Sequence, residues 1–158
     1  MTKIKTTCTL CGEKSKSSDT PVSCPVCGVN FNNSTEVVLK KVDCISSEGA
    51  AGAATRKGIL FLTNHRVFWL KRQTRLFAKG PSLYDAIFLR AKTMEFSFRL
   101  DRITDVQIAK KGPFKMFALT VGDKVIALDI KAKHRQEWID DINNAKNNFS
   151  ADTAATTT

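Results

Sequence analysis

Four cysteines arranged as two close pairs constrain this chain more than any other feature. Each pair is a Cys-x-x-Cys, Cys8 with Cys11 and Cys24 with Cys27, and twelve residues separate the two pairs. Two such pairs at this separation are typical of a site in which four thiolates hold one zinc ion. We therefore predict one structural Zn²⁺ bound by these four side chains. No coordination position would stay open for water or substrate, so Lewis-acid catalysis is not expected of this ion.

Both pairs end in glycine, and the second reads Cys24-Pro25-Val26-Cys27-Gly28. The chain must reverse there so that two sulfurs converge on one ion, and glycine readily adopts the positive φ that this needs. The segment resembles the knuckle of a zinc ribbon, and the resemblance spans about residues 6 to 30. A module of about thirty residues buries too little apolar surface to fold alone, so it should depend on its metal.

Redox chemistry and disulfide bonding are the alternative roles for these cysteines. A redox Cys-x-x-Cys usually lies between a strand and a helix of an α/β unit, and neither pair has that pattern around it. Disulfides suit secreted chains, but residues 1–5 lack the apolar core of a signal peptide. Both observations favour zinc.

Length and charge bound the rest of the chain. With 158 residues, 42% of them hydrophobic, it can form one ordinary domain plus a small module. No apolar run approaches the roughly eighteen residues needed to cross a bilayer. We expect a soluble, cytoplasmic protein that could lie peripherally at a membrane surface. Residues 34–158 carry 21 basic and 13 acidic side chains, hence +8 of the net charge of +10, which favours anionic partners.

The hydrophobic pattern divides the chain into three parts: a zinc ribbon at 1–33, a second domain at 34–150 and a disordered tail at 151–158. Period-two alternation after residue 36 predicts strands, and the last element has helical periodicity. The predicted elements are a strand in 36–46, a flexible loop with a basic tip in 46–57, strands at 58–63, 66–71, 94–100, 106–108, 114–121 and 124–130, and a helix at about 132–148.

The last hairpin can be predicted to the level of individual residue pairs. A two-residue turn at Gly122-Asp123 pairs Leu119 with Ile126 and Phe117 with Leu128. Both pairs are apolar and lie on one face, so register and burial agree. One apolar stripe then follows along the helix, formed by Trp138, Ile142, Ala145 and Phe149.

About seven strands followed by a helix with a tryptophan on its apolar face resemble the layout of a pleckstrin-homology-like barrel. Residues 58–67, Gly-Ile-Leu-Phe-Leu-Thr-Asn-His-Arg-Val, resemble the G-x-L-x-L-T-N-x-R hairpin of GRAM and bacterial pleckstrin-homology domains, with a tight turn at Asn64-His65. Residues 98–106 are similar to the I-P-L-x-D-I-x-x-V segment of these families, although Arg102 stands at the aspartate position. Residues 135–139 resemble the start of the closing helix.

This resemblance covers residues 36–149. It implies a mainly β fold, a seven-stranded barrel capped by one C-terminal helix, that acts as a binding module and not as an enzyme. Many relatives of this fold bind phosphoinositides through basic residues near the loop between the first two strands. Here the resemblance implies a cationic rim, with about 1 kcal/mol per basic residue near an anionic membrane. The rim consists of Lys40, Lys41, Arg56, Lys57, Arg66, Lys71 and Arg72. The alternative is that these are solvated charges that keep the barrel soluble.

The connection at 72–93 contains a capping box at residues 82–85 and an apolar helical face behind it. We predict a short helix there. It could be an amphipathic membrane or partner helix, or it could plug the barrel or form a dimer interface.

Catalysis finds little support in the sequence. His65 and His134 have no evident nucleophile or ligand partner, Cys44 is a single thiol in a predicted strand, and no phosphate-binding glycine motif is present. We therefore predict a non-enzymatic zinc-binding adaptor for an anionic lipid surface or a protein partner. The alternative is a nucleic-acid-associated zinc-ribbon protein of transcription or the ribosome, which the positive charge would suit. The oligomeric state stays open.

Overall fold

The computed structural model describes residues 4–17, 21–32, 35–48, 54–72 and 92–155. These ranges contain nine strands, a 3-10 turn at Leu100–Arg102 and one long helix. The strands are β1 Ile4–Thr7, β2 Lys14–Ser17, β3 Val38–Glu48, β4 Ala54–Thr63, β5 Arg66–Arg72, β6 Lys92–Arg99, β7 Asp105–Lys111, β8 Phe114–Val121 and β9 Lys124–Asp129, and the helix is α1 Ala132–Ala155.

Seven of the strands form one sheet in the order β6-β5-β4-β3-β9-β8-β7, and β1 with β2 forms a separate two-stranded sheet. Every pairing is antiparallel, which allows short turns to join β4 to β5, β7 to β8 and β8 to β9. This arrangement confirms the predicted mainly β fold, with seven antiparallel strands followed by one C-terminal helix.

Both predicted two-residue hairpins are present. The β8–β9 hairpin pairs Leu119 with Ile126 and Phe117 with Leu128, and Gly122 supplies the positive φ of 56° at its turn. The β4–β5 hairpin pairs Leu62 with Val67 across the turn that contains Asn64 and His65. In each case the turn residues fixed the register that the apolar pattern requires.

The main core lies between the inner face of the sheet and α1. Trp138, Ile142 and Ala145 of the helix are buried there, and Phe149 is partly buried. The Trp138 ring meets Phe117 of β8 edge-on, with ring centroids 6.3 Å apart. The predicted apolar stripe of the helix is therefore the surface that packs on the sheet. Burial of each large side chain contributes about 1.5–3 kcal/mol.

Two sequence predictions need correction. The helix was predicted to end at about residue 148, and residues 151–158 were assigned to a disordered tail. In the structure, α1 continues to Ala155. Between Ala132 and Ala155 there is no glycine or proline to end it, and this is the physical reason.

The predicted loop at 46–57 is also shorter than expected. Strands β3 and β4 remain paired as far as Glu48 and Ala54, and Arg56 lies opposite Ser46 inside the ladder. Arg56 and Lys57 are therefore strand residues and not a loop tip. Residues 46–48 and 54–56 are paired through backbone hydrogen bonds. They contain no large apolar side chain, so the hydrophobic pattern did not predict this part of the two strands. Residues 73–91, where a short helix was predicted, lie outside the described residues.

Candidate metal centre

Two turns of the same construction carry the four paired cysteines. In the first knuckle, residues 8–13, the Cys8 amide donates to the carbonyl of Glu13 and the Gly12 amide donates to the carbonyl of Cys8. The second knuckle, residues 24–29, repeats both bonds at the same distances of 2.8 and 2.9 Å. Gly12 and Gly28 both have φ of 71°, a conformation that costs other residues free energy.

The two knuckles bring four sulfur atoms together. The Sγ atoms of Cys8, Cys11, Cys24 and Cys27 lie within 4.8 Å of one another, and all four side chains are buried. The Sγ atoms of Cys8 and Cys27 are 3.5 Å apart, and those of Cys11 and Cys24 are 3.6 Å apart. A disulfide bond would need about 2.05 Å, and all four cysteines are free thiols. Tetrahedral coordination with metal–sulfur bonds of about 2.3 Å places sulfurs about 3.8 Å apart, so the cluster fits one metal ion.

Electrostatics of the cluster also fit a cation. Burial raises the pKa of the Cys8 thiol. Hydrogen bonding with Cys11, together with burial, raises the pKa of Cys27 well above its usual range. Buried thiolates without a counter-charge are therefore unfavourable, and a divalent ion would supply the missing positive charge. The four cysteines fit a structural metal ion, because their thiolates would complete its tetrahedral coordination.

The part of the chain that carries the four cysteines, residues 4–17 and 21–32 and hereafter the cysteine module, packs on the outer face of β4 and β5. Its four cysteines share one apolar cluster with Phe61, Phe68 and Leu70 of the sheet, to which Leu10 and Val29 also belong. The Phe61 and Phe68 rings are stacked, with centroids 4.8 Å apart. These two strands are thus apolar on both faces, one toward α1 and the other toward the cysteines. Their uninterrupted apolar runs were the sequence signal for this second contact.

Arg66 connects the second knuckle to the β4–β5 hairpin. Its Nη2 donates to the carbonyl oxygen of Cys27 at 2.8 Å. Its Nε donates to Glu36 Oε1 at 2.7 Å, and Nη2 donates to Glu36 Oε2 at 3.1 Å. The guanidinium also lies over the Phe68 ring, 4.9 Å from its centroid. The resemblance predicted Arg66 as a lipid contact. In the structure its hydrogen bonds link the sheet to the second knuckle.

Four other members of the predicted cationic rim also have acidic partners. Lys40 contacts both Glu137 and Asp141 of α1, and its ammonium lies 5.8 Å from the Trp138 ring centroid. The remaining ion pairs are Arg56 with Glu95 at 3.4 Å, Lys71 with Glu95 at 3.1 Å and Arg72 with Asp43 at 2.8 Å.

Lys41 and Lys57 are exposed, and neither has an ion pair within the described parts of the chain. The structure thus brings Arg56 and Lys71 together on the carboxylate of Glu95, whereas Lys40, Arg66 and Arg72 are paired with other acids. A single uncompensated cationic rim is not formed by these seven side chains.

A cavity of about 390 Å³ lies where the second knuckle meets the β4–β5 turn. His65 is in its wall, with Nε2 3.3 Å from Thr35 Oγ1 and its ring edge-on to Phe149 at 5.9 Å. The cavity is lined by Gly28, Val29, Asn30, Thr35, Glu36, His65 and Arg66. Arg66 and Glu36 neutralise one another within it.

Comparison with known proteins bears on the fold alone. No protein-family model matches the chain, and no curated protein matches it. The structure is similar to the N-terminal PH domain of human ARAP2 at 13% identity and a TM-score of 0.46, covering 68% of this chain and 77% of that one. It is also similar to the C-terminal domain of an unknown protein from Leishmania infantum at 20% identity and a TM-score of 0.45, covering 70% and 84%. The architecture assigned above rests on strand order and helix position in the chain itself.

Within the described ranges, no helix combines the length and the hydropathy that crossing a membrane would require.

Proposed function

We propose that this chain is a non-enzymatic, zinc-binding adaptor whose pleckstrin-homology-like domain docks on an anionic membrane surface in the cytoplasm. The observation that carries the proposal is the metal centre, in which four buried thiols converge and belong to the same apolar cluster as β4 and β5. A metal bound there would stabilise β4 and β5, and with them the sheet that carries the proposed binding surface. The resemblance of the β4–β5 hairpin to GRAM and bacterial pleckstrin-homology domains supports the same class of function.

Zinc is the metal that four converging thiolates favour, because it accepts tetrahedral sulfur coordination without redox chemistry. The purified chain should contain one zinc per molecule by elemental analysis. Iron, the other metal common in such sites, would give strong visible absorption, and a colourless, zinc-free protein would overturn this part of the proposal.

The non-enzymatic role is supported by the side chains around the cavity and by the closed donor set. Four thiolates complete the tetrahedron of zinc, which leaves no position for a substrate. In the cavity, the Arg66 guanidinium donates hydrogen bonds to the Glu36 carboxylate and the Cys27 carbonyl. The His65 ring contacts Thr35 and Phe149.

Positive charge supports the membrane as partner. The net charge is +10, and many lysines are exposed on the sheet and at the start of α1 even after the ion pairs described above. Each basic residue near an anionic leaflet contributes about 1 kcal/mol, and this attraction weakens as salt is added.

Flotation of the zinc-loaded chain with vesicles tests the docking. We expect binding to phosphatidylcholine vesicles that contain phosphatidylserine, loss of that binding at high salt, and no binding to pure phosphatidylcholine. A chain that binds neither vesicle overturns membrane docking. A gel shift with duplex or single-stranded nucleic acid in the absence of vesicle binding would instead favour the nucleic-acid alternative.

A further inference from the structure

The hairpin between β7 and β8 ends in a tip that is both basic and aromatic. The tip, residues 110–115, reads Lys-Lys-Gly-Pro-Phe-Lys, and every residue in it is exposed. Gly112 has a φ of 60°, which forms the tight turn. Phe114 is 70% exposed, the largest exposed fraction among the large apolar side chains of the described residues.

The register of this hairpin makes the tip unfavourable in water. Lys110 lies directly opposite Lys115, and Lys111 lies opposite Phe114. Like charges that face each other across two strands destabilise a hairpin. No aspartate or glutamate occurs between Val106 and Val121, and neither Lys110 nor Lys115 has an ion pair with any described residue.

More positive charge lies at the same end of the sheet. Strand β9 runs antiparallel to β8, so its end at Asp129 lies beside the start of β8. The exposed Lys131 and Lys133 follow directly, and the carboxylate of Asp129 is held by Arg135. An anionic partner would therefore relieve repulsion at this end of the sheet.

We propose that the β7–β8 tip is the part of this chain that enters an anionic lipid surface. The Phe114 ring would lie among the headgroups, and the lysines around it would contact lipid phosphates and carboxylates, as amphipathic side chains do at membrane interfaces. This proposal rests on the membrane docking proposed above and names its site. The tip is a projecting turn with one apolar ring, a shape that suits a soft, penetrable surface better than the flat, largely apolar core of a protein–protein interface.

A Phe114→Trp variant tests insertion directly. The native tryptophans Trp69 and Trp138 are 2% and 0% exposed, so an indole at position 114 adds a distinct, water-exposed fluorophore. With phosphatidylserine vesicles we expect its emission to shift to the blue and to be quenched by brominated acyl chains. If the wild-type chain floats with these vesicles but the new emission does not change, the tip assignment is overturned while membrane docking stands.

Charge reversal at two matched sites tests the electrostatic part. Lys110→Glu with Lys115→Glu is compared with Lys5→Glu with Lys124→Glu, which changes net charge equally at exposed lysines outside the predicted cationic rim. Each lysine should contribute about fivefold to the vesicle partition coefficient, so the double variant at the tip should lower that coefficient about 25-fold or more. The control double variant should lower it several-fold less. Phe114→Ala should weaken it about tenfold. Equal effects of the two pairs would show that binding follows net charge only and would overturn the tip assignment.

Two further outcomes separate the proposals. If the wild-type chain binds no anionic vesicle, membrane docking fails, and the tip proposal fails with it. If polyglutamate shifts the emission of the Phe114→Trp variant and vesicles do not, the tip binds an acidic protein segment, and the lipid assignment is overturned.

Discussion

The five cysteines show how surroundings decide what a thiol can do. Cys44 lies alone in the main core beside Leu60 and Trp69, and burial raises the pKa of its thiol to about 12. It behaves as a small apolar side chain. The other four cysteines are equally buried, but their sulfur atoms converge on one point, where they could share one metal ion. Spacing in the sequence was sufficient to predict this difference, because a knuckle is a local structure.

Cys27→Ser should therefore abolish stoichiometric zinc, whereas Cys44→Ser should retain one zinc per chain. The serine hydroxyl is a poor replacement for a thiolate, and three sulfurs leave the ion open to water. Elemental analysis of both purified variants checks this. Full zinc occupancy in the Cys27→Ser chain would contradict the four-thiolate site.

Gly58 is a second residue whose role follows from its neighbours. A Cβ atom there would lie 2.3 Å from Trp69 Nε1 and 2.5 Å from the carbonyl oxygen of Leu70. Gly58→Ala should therefore lower the free energy of unfolding by about 3 kcal/mol or more, since backbone and indole must both move. Lys57→Ala, at the exposed neighbouring position, should change it by less than about 0.5 kcal/mol. Urea denaturation of the two variants measures both values, and equal stabilities would contradict this packing.

At the scale of elements, the hairpins were predictable and the ion pairs were not. A turn such as Gly122-Asp123 fixes which residues face each other over a few positions, so Leu119 and Ile126 could be paired from the sequence. Lys40 and Asp141 are 101 positions apart. Their contact depends on how α1 lies across the sheet, and no local pattern contains that information. For the same reason, the acidic partners of five members of the predicted cationic rim could not be read from the sequence.

The contact between the cysteine module and β4–β5 could not be predicted either, because it joins distant parts of the chain. The uninterrupted apolar runs of both strands are typical of burial on two faces, but such runs do not tell which segment covers the outer face. Arg66 read as a surface cation, because its partners Glu36 and Cys27 are 30 and 39 positions away.

Arg66→Lys should weaken the link between hairpin and knuckle. A lysine retains the charge but cannot donate to Glu36 and the Cys27 carbonyl in the fixed geometry of a guanidinium. We expect a loss of about 1–2 kcal/mol in unfolding free energy, together with faster zinc release to a chelator. Arg102→Lys, at an exposed position, is the matched control and should change neither quantity. Zinc release at the wild-type rate from both variants would show that Arg66 does not support the metal site.

At the scale of the whole molecule, we expect metal binding to stabilise the seven-stranded sheet and α1 as well as the cysteine knuckles. The cysteines lie in one cluster with Phe61 and Phe68, whose strands also line the main core through Leu60, Val67 and Trp69. Loss of the metal would leave the outer face of β4 and β5 without its cover. Binding to the native state alone stabilises that state, and structural zinc does so strongly.

Zinc removal should therefore destabilise the seven-stranded sheet and α1 as well as the cysteine module. Trp69 of β5 and Trp138 of α1 both lie in the main core, so their fluorescence reports the unfolding of that core. We expect a strong chelator to move the urea midpoint of the tryptophan signal to lower concentration in the wild-type chain and to have no further effect on Cys27→Ser. An unchanged midpoint in the wild type would mean that the two parts fold independently.

The stacked rings of Phe61 and Phe68, 4.8 Å apart beneath the cysteines, have a consequence for how the protein would be degraded. If zinc leaves, those rings meet water, and the strands that carry them become easier for a protease to engage. Because these strands belong to both cores, proteolysis at low zinc would then degrade the entire chain. No stable fragment would remain to compete for binding partners.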